Sequence, residues 1–471
     1  MTVGQPPPIV PGIPLLGNAL QMMGDVQQFL VDSYLDLGPV FRVRALNQAF
    51  VIMAGAAANR FLVEHGEQVF TSEESFGGLD REFGMRVHVL RGRPHRHLRR
   101  LLATGLSRDL LAARWEQVAD ETERILDDWA NRPALPVVDA CQRLAAAQLS
   151  IAYTGASSAA RFQTLRSAFE LVLDVTIAGK WPTAALRWPA YRRARAEIHR
   201  FARAALAERA AGPSDGVPDL LDLALDAADE HGVPYPLDVR AGMALQGYFA
   251  GVNTVAYLYS FMIDVLLRNP GVLARVTDEV DAAGRAGRLS FDRLRDLPVL
   301  HGLVLETLRV HPPAPGSART AAQAFDFAGF RVDRGQRVLV ATCVTHQLPE
   351  HFPDPQRFDL DRDFAAARNS AVYAPFSVGG HTCLGAGMTQ VLSVATIAML
   401  VQRLRLSPTR PGRPLRITAT PGPNPGRRFR IHASPRGATG GARGTRSPVA
   451  APRNLPLPGG AEGDDRVAHP A

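Results

Sequence analysis

The segment VRAGMALQGYFAGVNTVAYLYSFMIDVLLRNP, Val239 to Pro270, runs without an internal proline and stops at Asn269-Pro270. A helix of about thirty residues extends roughly 45 Å, enough to cross a whole domain. A chain built around such a rod must pack other helices along it. With 471 residues, 46% of them hydrophobic, the chain can bury a substantial core. Helix signals dominate Asp109–Ala130, Ala140–Tyr153, Ala159–Val175, Ala190–Ala211, Pro218–Glu230 and Met388–Leu404. Short strand signals occur at Val40–Val43, Ala49–Ala54, Phe325–Val332 and Arg337–Ala341. The expected architecture is one large, mainly α domain with small β-sheets over residues 1–435. Residues 436–471, rich in Gly, Pro, Ala and Arg, form a tail expected to be disordered. No internal repeats are present.

Ahead of the last long helix lies APFSVGGHTCLGAG, Ala374 to Gly387. Gly379 and Gly380 allow a tight turn with positive φ angles and close backbone approach. Amides of the following helix can donate to the Cys383 sulfur and lower its pKa. The setting suits a thiolate ligand facing a planar group, although a lone cysteine is more commonly a small buried hydrophobe. The other two cysteines, Cys141 and Cys343, read most simply as buried small residues, and three cysteines imply no disulfide framework.

The pattern F-x-x-G-x-x-x-C-x-G, filled by Phe376, Gly379, Cys383 and Gly385, resembles the haem-binding loop of the cytochrome P-450 monooxygenases. Further marks of that family follow in order. Glu306 and Arg309 in LVLETLRVHPP match its E-x-x-R, and HFPDPQRFDLDR matches its F-x-x-P-x-R-F, which makes Arg357 the expected third member of a structural network with Glu306 and Arg309. The resemblance covers about Pro6 to Pro435. It implies the fold of that family, haem b with Cys383 as iron ligand, and His95, Arg99, Arg319 and His381 as partners of the two haem propionates. Cysteine-thiolate ligation is the form that favours O–O cleavage.

Within the long helix, AGVNTV resembles the family's A-G-x-acid-T, with Ala250, Gly251 and Thr254 in place as the oxygen-activating set. Asn253 departs from the pattern. An amide can orient water but cannot titrate, so it cannot be the proton source. By carry-over, the substrate pocket draws on Phe76, Phe83, Met85, Val87, Phe249, Ala314 and Pro315, with the Val175–Trp181 turn. These side chains are mostly apolar, which implies a hydrophobic substrate such as a terpenoid, polyketide, steroid or fatty acid.

The resemblance further implies O2 as cosubstrate, electrons from NAD(P)H through a ferredoxin and ferredoxin reductase, a monomer, and a place in secondary metabolism. Alternatives are another haem-thiolate reaction, such as desaturation, ring formation or peroxide use, and a haem-binding protein without turnover. The net charge of +8 comes almost wholly from arginine, since Lys180 is the only lysine. It occurs without an aromatic-interleaved basic ridge or nucleic-acid motif, so docking of an acidic electron donor is its expected use. The start, MTVGQPPPIVPGIPLLGNAL, resembles the proline-rich segment that follows the anchor in microsomal members but has no anchor itself. A cytoplasmic bacterial protein is expected.

Overall fold

A computed structural model of the chain describes residues 5–46, 48–155, 159–177, 181–212, 217–284, 288–419 and 422–437. Its axis is the helix Leu237–Arg268, 32 residues long, with Asp238 in its first turn and Arg268 in its last, each complementing the helix dipole. By length and composition this helix could cross a membrane, but 72% of its apolar window is buried inside the fold. It is the core rod that its all-round apolarity implies.

Val137–Thr154 and Ala386–Arg403 pack against it, and Trp115–Ala130 packs on those two helices. One buried amide joins all four. Gln148 Nε2 donates to Thr122 Oγ1 at 2.9 Å and Thr396 Oγ1 at 2.8 Å, and its Oε1 accepts from the Tyr259 hydroxyl at 2.9 Å. Such a satisfied network fixes the relative register of the helices, which apolar contacts alone leave loose.

The strands are β1 (Val40–Ala45), β2 (Gln48–Ala54), β3 (Phe70–Thr71), β4 (Leu135–Pro136), β5 (Ser317–Ala321), β6 (Phe325–Phe327), β7 (Phe330–Val332), β8 (Arg337–Ala341), β9 (Leu404–Pro408) and β10 (Arg430–Pro435). The largest sheet has the order β1-β2-β8-β5-β3. Only β2 and β8 pair in parallel within it, with Ile52 opposite Leu339.

Three expectations are corrected. The run Phe325–Val332 is a hairpin, β6 and β7, because Ala328 and Gly329 turn the chain with φ of 50° and 83°. The Asp109–Ala130 helix breaks at Arg114, whose buried side chain reaches across to Asp219 at 2.9 Å and to the Ala152 carbonyl at 3.2 Å. The Pro218–Glu230 helix shrinks to Leu220–Leu225, capped by the same Asp219. Of the expected tail, Arg436 is held by Asp281 at 2.6 Å and by the Arg403 carbonyl at 2.8 Å. Residues 438–471 lie outside the described residues.

Candidate functional site

The loop before Ala386–Arg403 folds as its glycines require. Gly379 has φ of 78°, and a Cβ there would sit 3.0 Å from the Leu62 carbonyl oxygen. Ser377, not a second glycine, supplies the other positive φ, 62°. Gly385, the N-cap of the helix, has an ordinary φ of −84°. The Cys383 amide donates to the Phe376 carbonyl at 2.9 Å and the Thr382 amide to the Gly379 carbonyl at 3.1 Å, so the turn presents the Cys383 side chain.

Cys383 carries accessible surface. Protein nevertheless surrounds it closely enough that desolvation pushes its thiol up, against the lowering pull of the Gly385 amide and the Arg99 charge. Open surface on an enclosed group means an interior cavity. Two positions on the central helix have the same character: Ala250 and Thr254 are exposed in the middle of a helix that is otherwise nearly all buried. They stand one turn apart and open onto a cavity. Thr254 Oγ1 donates to the Ala250 carbonyl at 2.9 Å, within 3.2 Å of that of Gly251 as well. Gly251 packs against Leu149, whose Cδ1 would lie 2.9 Å from a Cβ there.

Asn253 faces elsewhere. Its Oδ1 accepts from Gln142 Nε2 of the neighbouring helix at 2.8 Å, and Gln142 has no signal in the sequence that marks it.

Beside the cysteine, four segments bring arginine and histidine side chains together. His95 and His381 stack with centroids 4.0 Å apart. Arg99 donates to the Thr382 carbonyl at 2.7 Å, and Arg319 on β5 donates to Ala318 at 2.8 Å. A fifth member, His88, was not foreseen. It stacks on Phe76 at 4.9 Å. Burial first, and then each other's charges, hold His88 and His95 down at about 4 and His381 at about 3, while burial alone lowers Arg319 to about 10. Both ring nitrogens of His95 are buried without a partner. Glu67 approaches to 3.9 Å but is shared with Arg96. A buried guanidinium with no acid partner among the described residues, Arg319, beside the unpartnered ring nitrogens of His95 and the charge of Arg99 makes a site suited to an anionic group. An iron porphyrin with two carboxylates fits this site and the cysteine beside it.

The loop is braced from below. Arg309 donates twice to Glu306, at 2.7 and 2.8 Å, and its Nη1 donates to the His346 carbonyl at 2.7 Å. His346 Nε2 in turn accepts from the amide of Ala374, the first residue of the loop, at 2.9 Å. The expected third side chain is corrected: Arg357 is exposed and contributes only its carbonyl. Arg362, five residues on, donates to Glu306 at 3.2 Å and to the Pro353, Asp354 and Arg357 carbonyls. The chain turns back after the motif, which brings the later arginine under Glu306.

The pocket expectation also divides. Phe83 and Met85, each 1% exposed, are core residues, Phe83 lying between His199 and Phe249. Val87 and Phe249 are buried as well. Phe76, Ala314 and Pro315 keep accessible surface. Residues 178–180 of the Val175–Trp181 turn lie outside the described residues.

Residues 6–426 match the family model described as cytochrome P450. Among curated relatives, a sterol 14alpha-demethylase of Mycolicibacterium vanbaalenii is 25% identical, covering 85% of this chain and 92% of its own length. A cyclooctat-9-en-7-ol 5-monooxygenase of Streptomyces melanosporofaciens is 28% identical, covering 84% and 88%. The solved structure of retinoic-acid-bound cyanobacterial CYP120A1 superposes with a TM-score of 0.77 at 22% identity, covering 92% of this chain and all of that one.

Proposed function

Taking as premise that the chain belongs to the cytochrome P450 family and is therefore a haem-dependent monooxygenase, we propose that it oxidises a rigid apolar molecule of terpenoid or steroid size. Two of its relatives, a sterol 14alpha-demethylase and a cyclooctat-9-en-7-ol 5-monooxygenase, support that class. One observation carries the site assignment: an enclosed cysteine with open surface beside five converging basic side chains, among which the buried Arg319 has no acid partner among the described residues.

In this reading Cys383 would hold the iron of haem b through its sulfur. His95, Arg99, Arg319 and His381, joined by His88, hold its two carboxylates. The haem, when bound, supplies the chemistry by which one atom of O2 enters a C–H bond. The chain's own residues bind, orient and exclude water. The small side chain of Ala250 leaves the cavity open at this turn, and the Thr254 hydroxyl, bonded one turn back, would offer its oxygen to water in that space. Asn253, tied to Gln142, positions water without being its proton source. Electrons come from NAD(P)H through a ferredoxin and its reductase, the basic surface favouring an acidic donor, and the cytoplasm is the compartment proposed.

The reduced carbonyl complex tests the assignment. The parent should give the long-wavelength Soret band of a thiolate ligand, and Cys383→His should lose it while Cys141→Ala keeps it. Retention of the band in Cys383→His would overturn the ligand, and with it the site.

A further inference from the structure

Within the cysteine loop, Ser377 holds a backbone conformation that does not suit its side chain. Its φ of 62° lies in the left-handed region, where a Cβ crowds the following carbonyl and which glycine enters freely. Gly379 meets the same demand two residues on, with φ of 78°. A side chain kept at a strained position points to a contact that offsets the strain.

Ser377 has such a contact. Its hydroxyl lies 2.6 Å from the hydroxyl of Ser317. Ser317 is buried at the start of β5, where its backbone stands opposite Val340 of β8. Among the described residues this is the only hydrogen bond between β5 and the loop Ala374–Gly387.

Both ends of the bond matter to the site. The carbonyl that receives the Cys383 amide at 2.9 Å belongs to the peptide unit between Phe376 and Ser377. Rotation about φ of Ser377 turns that carbonyl relative to the Ser377 side chain, so a pinned hydroxyl keeps the acceptor aimed and the turn closed on Cys383. At the other end, Arg319 follows Ser317 by two residues on β5, the buried guanidinium that has no acid partner among the described residues. The sulfur and the cation thus stand on separate segments joined by one short bond.

We propose that Ser317 and Ser377 are a positioning pair, which holds the iron-ligating turn in register with Arg319 so that a haem meets its ligand and its carboxylate partner together. The inference rests on the haem-thiolate reading above. Neither serine touches the reacting atoms in this role; the pair acts through Cys383 and Arg319.

The test uses the haem-loaded full chain. Haem loss is timed by transfer to excess apomyoglobin, and the reduced carbonyl complex is scored for the share of its Soret absorbance in the long-wavelength thiolate band. Ser317→Ala and Ser377→Ala should each speed haem loss about fivefold, the rate equivalent of one net hydrogen bond, and move part of the carbonyl band to shorter wavelength. The double variant should show about the same fivefold change, because the second substitution removes a bond already lost. Ser317→Thr keeps a hydroxyl and suits a strand, so it should restore the parental rate and band. Ser377→Gly loses the bond but takes the left-handed φ freely, so its rate should fall between the parent and Ser377→Ala. Parental haem loss and carbonyl band in both alanine variants, or multiplied rates in the double variant, would overturn the pair and leave the ligand assignment intact. A lower unfolding midpoint with neither readout changed would show a packing role alone and overturn it too. A parent without the thiolate band refutes the haem-thiolate reading, and the pair with it.

Discussion

Replacing Arg362 by leucine separates the observed brace from the one the motif suggests. The Arg362 side chain makes a charge-assisted bond to Glu306 at 3.2 Å and bonds to three carbonyls, the closest at 2.8 Å. Glu306 is fully buried and also accepts from the Asp359 amide at 3.0 Å, so its negative charge is shared between Arg309, Arg362 and that amide. Losing a hydrogen bond to a charged group costs about 1.5–3 kcal/mol, and carbonyls left short of a donor add to this. A total of about 3 kcal/mol is expected. Unfolding a chain with about 430 packed residues has an entropy near 0.9 kcal/mol/K, so the loss lowers the midpoint by about 3 °C. Arg357→Leu removes an exposed side chain and keeps the carbonyl, so it should stay within about 0.5 kcal/mol of the parent. Calorimetry of the haem-loaded proteins, with haem content by absorbance, decides between them. Equal loss in the two variants, or greater loss in Arg357→Leu, would refute the reasoning.

Thr254→Ala should divert reducing equivalents to peroxide, whereas Asn253→Ala should do so less, since its amide only positions water. Product formed per NADPH consumed measures both, and unchanged coupling in Thr254→Ala would point to another proton path. Truncation after Gly437 should leave haem content and unfolding midpoint nearly unchanged, because Arg436 keeps its bonds to Asp281 and Arg403; haem loss would place the tail on the domain. The half-buried His311 and the buried His346, held down at about 4 and about 3 by desolvation and then by the Arg309 charge, make stability pH-dependent. Their folded pKa values lie below the unfolded value near 6.5, so the unfolded chain binds more protons as pH falls. Stability is full above about pH 6.5 and falls below it, by about 1.4 kcal/mol per histidine at pH 5.5. Urea midpoints at pH 7.5 and 5.5 measure this, and His346→Gln should flatten the difference.

The central helix, the cysteine turn and the Glu306–Arg309 pair were legible in the sequence because each is local. A long proline-free apolar run reads as one continuous helix, Gly379 stands where φ must be positive, and residues three apart share a helical face. Family resemblance extended the reading to His95, Arg99, Arg319 and His381, which lie in separate segments. Beyond that range the sequence is silent. Nothing in it chooses Arg362 over Arg357, since the choice depends on how the chain turns back beneath Glu306. Nothing marks Gln142 as the partner of Asn253, 111 residues away, or puts His88 beside Arg319. Aromatic spacing likewise could not tell that Phe83 fills the core between His199 and Phe249 instead of lining a pocket. The sequence alone determined the elements and the ligand turn, whose geometry follows from neighbouring residues. Tertiary structure alone decided which charges meet, which polar atoms are left unpaired and which side of the central helix faces the cavity, because those depend on desolvation and contact between segments that only the packed fold brings together.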